Sequence, residues 1–293
     1  MEIKGMITAM VTPWDKDDEI NEEASKQLIE KLIADGVDGL FILGTNGEFT
    51  LMSDDEKVAF AKLVVRACKG RVPVYAGAGA CGTKQVIDLG NRLKEVGVDV
   101  LSIIAPYFQS LSKKEMIAHY KNIAAHIDMP ILLYNIPSVT KNPISAEVVT
   151  QVCMIPNIKG IKDSSGDLAL TQAYLDASKH EDFVVLIGSD SRILAALEMG
   201  AKGAVAATSN LLTKNDVAIY QNFIKGDIKE AKKCQEAIEA FRAVNKRGIQ
   251  PSILKRSLSL SGIDVGYARQ PIQKPSAEDD QAILEMLKQY QLV

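Results

Sequence analysis

The sequence predicts an α/β protein, a (β/α)8 barrel followed by a C-terminal α-helical appendage. Three observations carry that expectation. Eight short apolar runs, each bounded by Gly, Pro, Asp or Asn, recur along the first part of the chain. Amphipathic stretches of helix length separate them. After residue 226 the strand-like runs stop. Strands buried on both faces read as continuous apolar runs, and repeated strand–helix units close into a barrel. A doubly wound open sheet is the runner-up.

The runs, in order, are "GMITAMVTP", "GLFILG", "VPVYAGAG", "DVLSIIAP", "PILLYNIP", "IKGIKD", "FVVLIGSD" and "GAVAATSN". Of the stretches between them, "NEEASKQLIEKLIADG" repeats Leu28, Leu32 and Ile29, Ile33 at helical spacing and closes on Gly36. "SDDEKVAFAKLVVRACKG" opens on Ser53 with Glu56 three residues later, a capping box. "SKKEMIAHYKNIAAHI" and "DLALTQAYLDASKH" behave alike, and "LTKNDVAIYQNFIKG" is the eighth helix. A weak echo, "ADGVDGLFIL", "EVGVDVLSII" and "MGAKGAVAA", runs from helix end through Gly into strand, as a repeated unit would. Residues 1–226 are thus read as the barrel. Residues 227–293 are read as three further helices, with no low-complexity linker before them.

Composition narrows the partners. The chain has 293 residues, 47% hydrophobic and 24% charged, which suits one large domain with an appendage. A formal net charge of −3 leaves no basic footprint for nucleic acid. The N-terminal stretch turns acidic early and lacks a signal-type apolar core, and no window is long and apolar enough to span a membrane. Cys68, Cys81, Cys153 and Cys234 form no CxxC pair. His119, His126 and His180 have no metal-ligand spacing; His119 and His126 could share one helix face and are read as surface or helix-end residues. The expectation is a cytoplasmic protein without metal or disulfides.

"GAGACG", Gly77 to Gly82, is a formal GxGxxG and is rejected as a dinucleotide site. It falls in the third unit, and the nearest acidic residue, Asp99, opens the next strand instead of ending it. Its glycines are expected to keep the barrel mouth open for a small ligand.

Active sites of such barrels lie at the C-terminal strand ends. There the sequence gathers "GTNGEF", "APYF", "YNIP", "IKD", "GSD" and "TSN". Alternation puts Ile158, Gly160 and Lys162 on one face, with Gly160 leaving room below the lysine. Burial disfavours an ammonium, and a neutral amine can attack a ketone to form an imine. Leu132, Tyr134 and Ile136 share a face of the preceding strand, so Tyr134 can aim its phenol at the amine and move protons. In "GTNGE" two glycines open the backbone to a small carboxylate, and Thr45 and Asn46 add donors.

"GTNGE", "YNIP" and "GIKD", with Lys162 twenty-eight residues after Tyr134, resemble the dihydrodipicolinate synthase/N-acetylneuraminate lyase family of pyruvate-dependent class I aldolases. The resemblance spans essentially the whole chain. It implies a TIM barrel, a Schiff base with a 2-keto acid such as pyruvate, an aldehyde partner, no metal, PLP or NAD, and a homotetramer built from dimers. By position it makes Lys162 the imine-forming lysine, Tyr134 the proton donor and Thr45 its relay hydroxyl. Asn46 stands where a second Thr or Ser holds the pyruvate carboxylate, beside Gly44. Val205 matches a position bordering pyruvate, and Asp190 one that contacts polyhydroxylated substrates.

Departures from the family pattern set the expected substrate. Phe108 stands at the relay tyrosine donated across a dimer interface, with Tyr107 beside it. Val139 replaces an arginine that binds the acceptor's carboxylate in the synthases, and Lys141 replaces a glycine. Ser191 replaces an acidic residue of the sialic acid lyases. The expectation is therefore a lyase acting on a 2-keto-3-deoxy sugar acid or a 4-hydroxy-2-oxo acid. The alternatives are 4-hydroxy-tetrahydrodipicolinate (dihydrodipicolinate) synthase and a catalytically impaired 2-keto-acid-binding barrel.

Overall fold

The computed structural model describes residues 2–293. Its eight strands close into a barrel in sequence order. They are β1 (Gly5–Ala9), β2 (Gly39–Ile42), β3 (Val74–Gly77), β4 (Val100–Ile104), β5 (Ile131–Asn135), β6 (Ile158–Asp163), β7 (Val184–Ile187) and β8 (Gly203–Ala206). β1 pairs in parallel with both β2 and β8, which closes the ring and excludes the open-sheet alternative. Inside, Ile7, Phe41, Tyr75, Val100, Leu132, Leu186 and Val205 form the axial core. The opposite strand faces, with Leu40, Leu101, Leu133 and Ile161, pack under the surrounding helices. Each strand is buried on both sides, which is why it is apolar without alternation.

The helices start where the caps predict. Asn21 caps Glu22–Ala34, and Gly36 follows that helix at φ +92°, a conformation glycine takes without a Cβ penalty. Ser53 and Glu56 form the expected capping box on Asp54–Cys68, as do Ser112 and Glu115 on Lys113–His126.

Three expectations change. Ile158 does not share the face of Gly160 and Lys162. A bulge between β5 and β6 aligns Ile131 with Ile158 but Leu132 with Gly160, so Lys159 is an extra residue. Ile158 accordingly joins the outer cluster with Ile131 and Ile161. His119 is not a surface residue; it is buried, and its Nδ1 lies 2.9 Å from Thr83 Oγ1. The first C-terminal segment is two helices, Ile228–Ala237 and Glu239–Asn245, followed by Ser252–Leu260 and Ala277–Gln289. These helices share the barrel's cores: Ala231 packs with Ile219 and Leu197, and Phe241, Leu254 and Ile283 join the outer cluster.

One buried ion pair ties this region to the barrel mouth. Glu48, the last residue of "GTNGE", sits at φ +57° with its carboxylate inside the protein. It accepts from Lys255 Nζ at 3.0 Å, Trp14 Nε1 at 3.0 Å and the Arg269 backbone N–H at 2.7 Å. Lys255 also donates to the carbonyls of Thr12 and Tyr267. Burial pulls the Lys255 ammonium down to about 8, with Glu48 opposing the shift.

Breaking such a pair leaves a buried charge alone. Lys255→Met is expected to cost about 3–5 kcal/mol, and Lys255→Met with Glu48→Gln distinctly less, in chemical denaturation. Burial holds the His119 imidazole down to about 4 from its ordinary 6.5. The unfolded chain therefore takes up a proton that the folded chain refuses as pH falls from 6.5 towards 4. Stability drops across that window by up to ~3 kcal/mol, and His119→Gln is expected to flatten the pH dependence of unfolding.

Candidate active site

Lys162 emerges from the C-terminal end of β6 into the barrel mouth, beside Tyr134, its pairing partner on β5. It is 4% exposed. Its Nζ lies 4.0 Å from the centroid of the Tyr134 ring and 4.4 Å from that of Phe41. Those two rings meet edge to face at 6.1 Å. Among the described residues the amine has no ion-pair or hydrogen-bond partner. The adjacent carboxylate, Asp163, is turned to the other strand face, where it accepts from Asn135 Nδ2 at 3.1 Å, Ser165 N at 3.0 Å and Thr171 Oγ1 at 2.8 Å.

Gly188 makes space for this side chain, and Gly160 lets the neighbouring strand and core close below it. A Cβ at Gly160 would meet the Val184 carbonyl at 2.4 Å and Leu132 Cδ1 at 3.1 Å. One at Gly188 would meet Ser164 Oγ at 2.0 Å and Lys162 Cε at 2.9 Å. The phenol of Tyr134 lies 3.3 Å from Thr45 Oγ1. An amine, a phenol and a hydroxyl are thus held together in a largely water-excluded corner, the set that carbonyl addition with proton transfer needs.

The cavity above them has a volume of about 430 Å³. The structure brings Thr45, Asn46, Tyr134, Lys162, Asp190 and Val205 onto its lining. The Oδ1 of Asn46 is buried without a donor, so the amide's Nδ2 is the end able to meet a carboxylate. Asp190 is less available than the sequence reading has it. Its two carboxylate oxygens each accept a backbone N–H, from Ala207 and Thr208, both at 3.1 Å. Burial pushes its carboxyl above the ordinary carboxylate range, with those N–H groups opposing.

The remaining expected residues lie elsewhere. Gly44 is buried beneath the cavity, where a Cβ would meet the Phe41 ring at 2.7 Å. Tyr107 packs edge to face on Phe49 at 6.2 Å, and burial pushes its phenol up to about 12. Phe108 is 91% exposed at φ +77°, pointing away from its own cavity. The glycines of "GAGACG" do not open the mouth. A Cβ at Gly77 would meet the Leu43 carbonyl at 2.1 Å, and one at Gly79 the Phe49 ring at 2.8 Å, so they serve close packing. Asp99 sits at the N-terminal end of the strands, accepting from Val74 N at 2.8 Å. Val139 is 56% exposed and Lys141 is exposed, its Nζ donating to the Ser138 carbonyl at 2.8 Å.

Sequence reasoning missed part of the lining. Ser164 follows directly on the end of β6 and was legible by position. Arg242, Asn245, Lys246 and Gln250 were not, because they arrive from the C-terminal helices.

A closed parallel barrel with an unpaired, buried lysine at its C-terminal mouth defines a lysine-centred barrel enzyme. The sequence pattern of the dihydrodipicolinate synthetase family matches residues 2–290, and the chain belongs to that family. It is a pyruvate-dependent lyase of the class I aldolase type. It is 34% identical over 283 residues to 4-hydroxy-tetrahydrodipicolinate synthase 1 of Halalkalibacterium halodurans, covering 97% of this chain and 96% of the other. Dihydrodipicolinate synthase from Bacillus anthracis superposes with a TM-score of 0.95 at 32% identity, covering 98% of each chain. The chloride-inhibited dihydrodipicolinate synthase of Acinetobacter baumannii, complexed with pyruvate, gives 0.96 at 28% identity over all of both chains.

Close packing around the lysine is testable without any assay. Gly188→Ala is expected to push Lys162 off the Tyr134 ring and to cost about 1–3 kcal/mol. A crystal structure of the variant with the amine in its present place would contradict this packing.

Proposed function

We propose that the chain makes and breaks a carbon–carbon bond beside a pyruvyl unit held as an imine on Lys162. One observation carries the reading: a buried amine with no carboxylate beside it, over a tyrosine whose phenol is within hydrogen-bond reach of Thr45. The amine adds to the keto carbon of a 2-oxo acid, water leaves, and the imine becomes the electron sink. In the cleavage direction Tyr134, relayed by Thr45, takes the proton of the substrate hydroxyl. The bond breaks, an aldehyde departs, and the electron pair passes into an enamine. Protonation of its carbon and hydrolysis of the imine release pyruvate and restore Lys162. Asn46 and the backbone around Gly44 hold the pyruvyl carboxylate, and Val205 borders the methylene. The imine supplies the sink, so the reading invokes no metal, nicotinamide or pyridoxal group.

Two acceptor classes compete. The hydroxyl-rich lining, with Ser138, Ser164, Ser189 and Ser191, and the absence of a cation at position 139 support cleavage of a 2-keto-3-deoxy sugar acid or a 4-hydroxy-2-oxo acid. Relatives at 32–34% identity that are 4-hydroxy-tetrahydrodipicolinate synthases support condensation with aspartate semialdehyde, and overall similarity backs that reading more strongly. Val139 is what weighs against it. The same reading places the enzyme in the cytoplasm, consistent with four unpaired thiols, as a dimer of dimers with the exposed Phe108 ring meeting a second copy.

Side-by-side assays separate the classes. Pyruvate release from a panel of hydroxylated 2-oxo acids is expected to exceed condensation with aspartate semialdehyde, and Tyr134→Phe to lower kcat by about 10²–10⁴. Faster condensation assigns the synthase. Imine formation without turnover on either assigns a binding barrel.

A further inference from the structure

The cavity carries more positive charge than a pyruvyl unit needs. Its lining includes Lys162, Arg192, Arg242 and Lys246 against one carboxylate, Asp190, in a chain whose formal net charge is −3. That carboxylate is occupied by two backbone N–H groups. Arg242 and Lys246 are four residues apart at the end of the Glu239–Asn245 helix, with helical backbone continuing through Lys246, so they share a face. Both line the cavity that holds the Lys162 amine, and Arg242 and Lys162 lie within Coulombic reach of the same Asp190.

Their charges are not used up inside the chain. Arg242 meets Glu239 only through Nη1, at 2.8 and 2.9 Å. Its Nε–Nη2 edge has no protein acceptor among the described residues. That edge is the fork that grips a carboxylate or phosphate in two parallel hydrogen bonds. Neither Lys246 nor Arg192 forms an ion pair among the described residues. The helix C-terminus attracts cations for its own dipole, but that effect does not require both side chains to border a cavity over a reactive amine.

We propose that Arg242 and Lys246 bind a second anionic group on the substrate, so that the preferred aldehyde partner carries a carboxylate or a phosphate. The inference rests on the imine reading of the same cavity and deepens it. It moves acceptor recognition from position 139, where Val139 carries no charge, to the part of the rim supplied by the C-terminal helices. An acidic acceptor is then compatible with either reaction class.

The experiment compares wild type with Arg242→Gln, Lys246→Gln and Arg242→Lys, each checked for folding by circular dichroism. Aldol formation from pyruvate is measured with glyceraldehyde, glyceraldehyde 3-phosphate and succinic semialdehyde. The ratio of kcat/KM for an anionic acceptor to that for neutral glyceraldehyde is expected to fall at least tenfold in each Gln variant, with Arg242→Lys recovering part of it. The acceptor showing the larger fall identifies phosphate or carboxylate as the natural group. Equal losses for neutral and anionic acceptors, or none, overturn the proposal. Calorimetric binding of 2-oxoglutarate against pyruvate provides a readout that needs no turnover. A tenfold loss of the 2-oxoglutarate preference in the Gln variants supports the anion site even if no imine forms, in which case only the imine reading fails. An unchanged preference overturns the anion site alone.

Discussion

An amine held near the axis of a closed barrel without a carboxylate beside it is the constraint around which this protein is organised. A protonated lysine there loses water and gains in contact the faces of Phe41 and Tyr134, with no carboxylate at ion-pair distance. Every neighbour that could have neutralised it is directed elsewhere. Asp163 is bound to Asn135, Ser165 and Thr171 on the outer face, and Asp190 to the backbone of the β8 end. Gly188 supplies the room. The amine is left without a salt bridge, which suits the imine chemistry proposed for it.

The second organising element is the buried Glu48–Lys255 pair. Glu48 closes the loop that presents Thr45 and Asn46, and Lys255 belongs to the Ser252–Leu260 helix. Their contact, reinforced by Trp14 and the Arg269 backbone, fixes the C-terminal helices against the barrel mouth. The appendage is therefore a wall of the cavity as well as a cover for the barrel, which is how Arg242 and Lys246 come to face the same space as Lys162. An isolated barrel would leave that side of the mouth open.

Much of this was legible in the sequence, for identifiable reasons. Strands buried on both faces are apolar runs, and capping boxes mark helix starts, so the order of elements and the Ser53 and Ser112 caps could be read directly. Lys162, Tyr134 and Thr45 could be read because strand ends converge in a parallel barrel. The failures have physical causes too. A one-residue bulge at Lys159 carries no sequence mark, and it moved Ile158 to the outer face. The glycines of "GAGACG" read as keeping the mouth open, but Gly77 and Gly79 serve close packing against Leu43 and Phe49. His119 looked like a helix-surface residue until Thr83 supplied its partner from another helix. Arg242 and Lys246 lie far from the strand ends in sequence, and only tertiary packing brings them to the site.

The most direct measurement is the intact mass of the protein after incubation with pyruvate and borohydride, followed by peptide mapping. Imine chemistry at the barrel axis predicts one reduced pyruvyl adduct per chain, on Lys162, and none in Lys162→Ala. A folded protein that takes up no adduct, or takes it up at another lysine, would contradict the account.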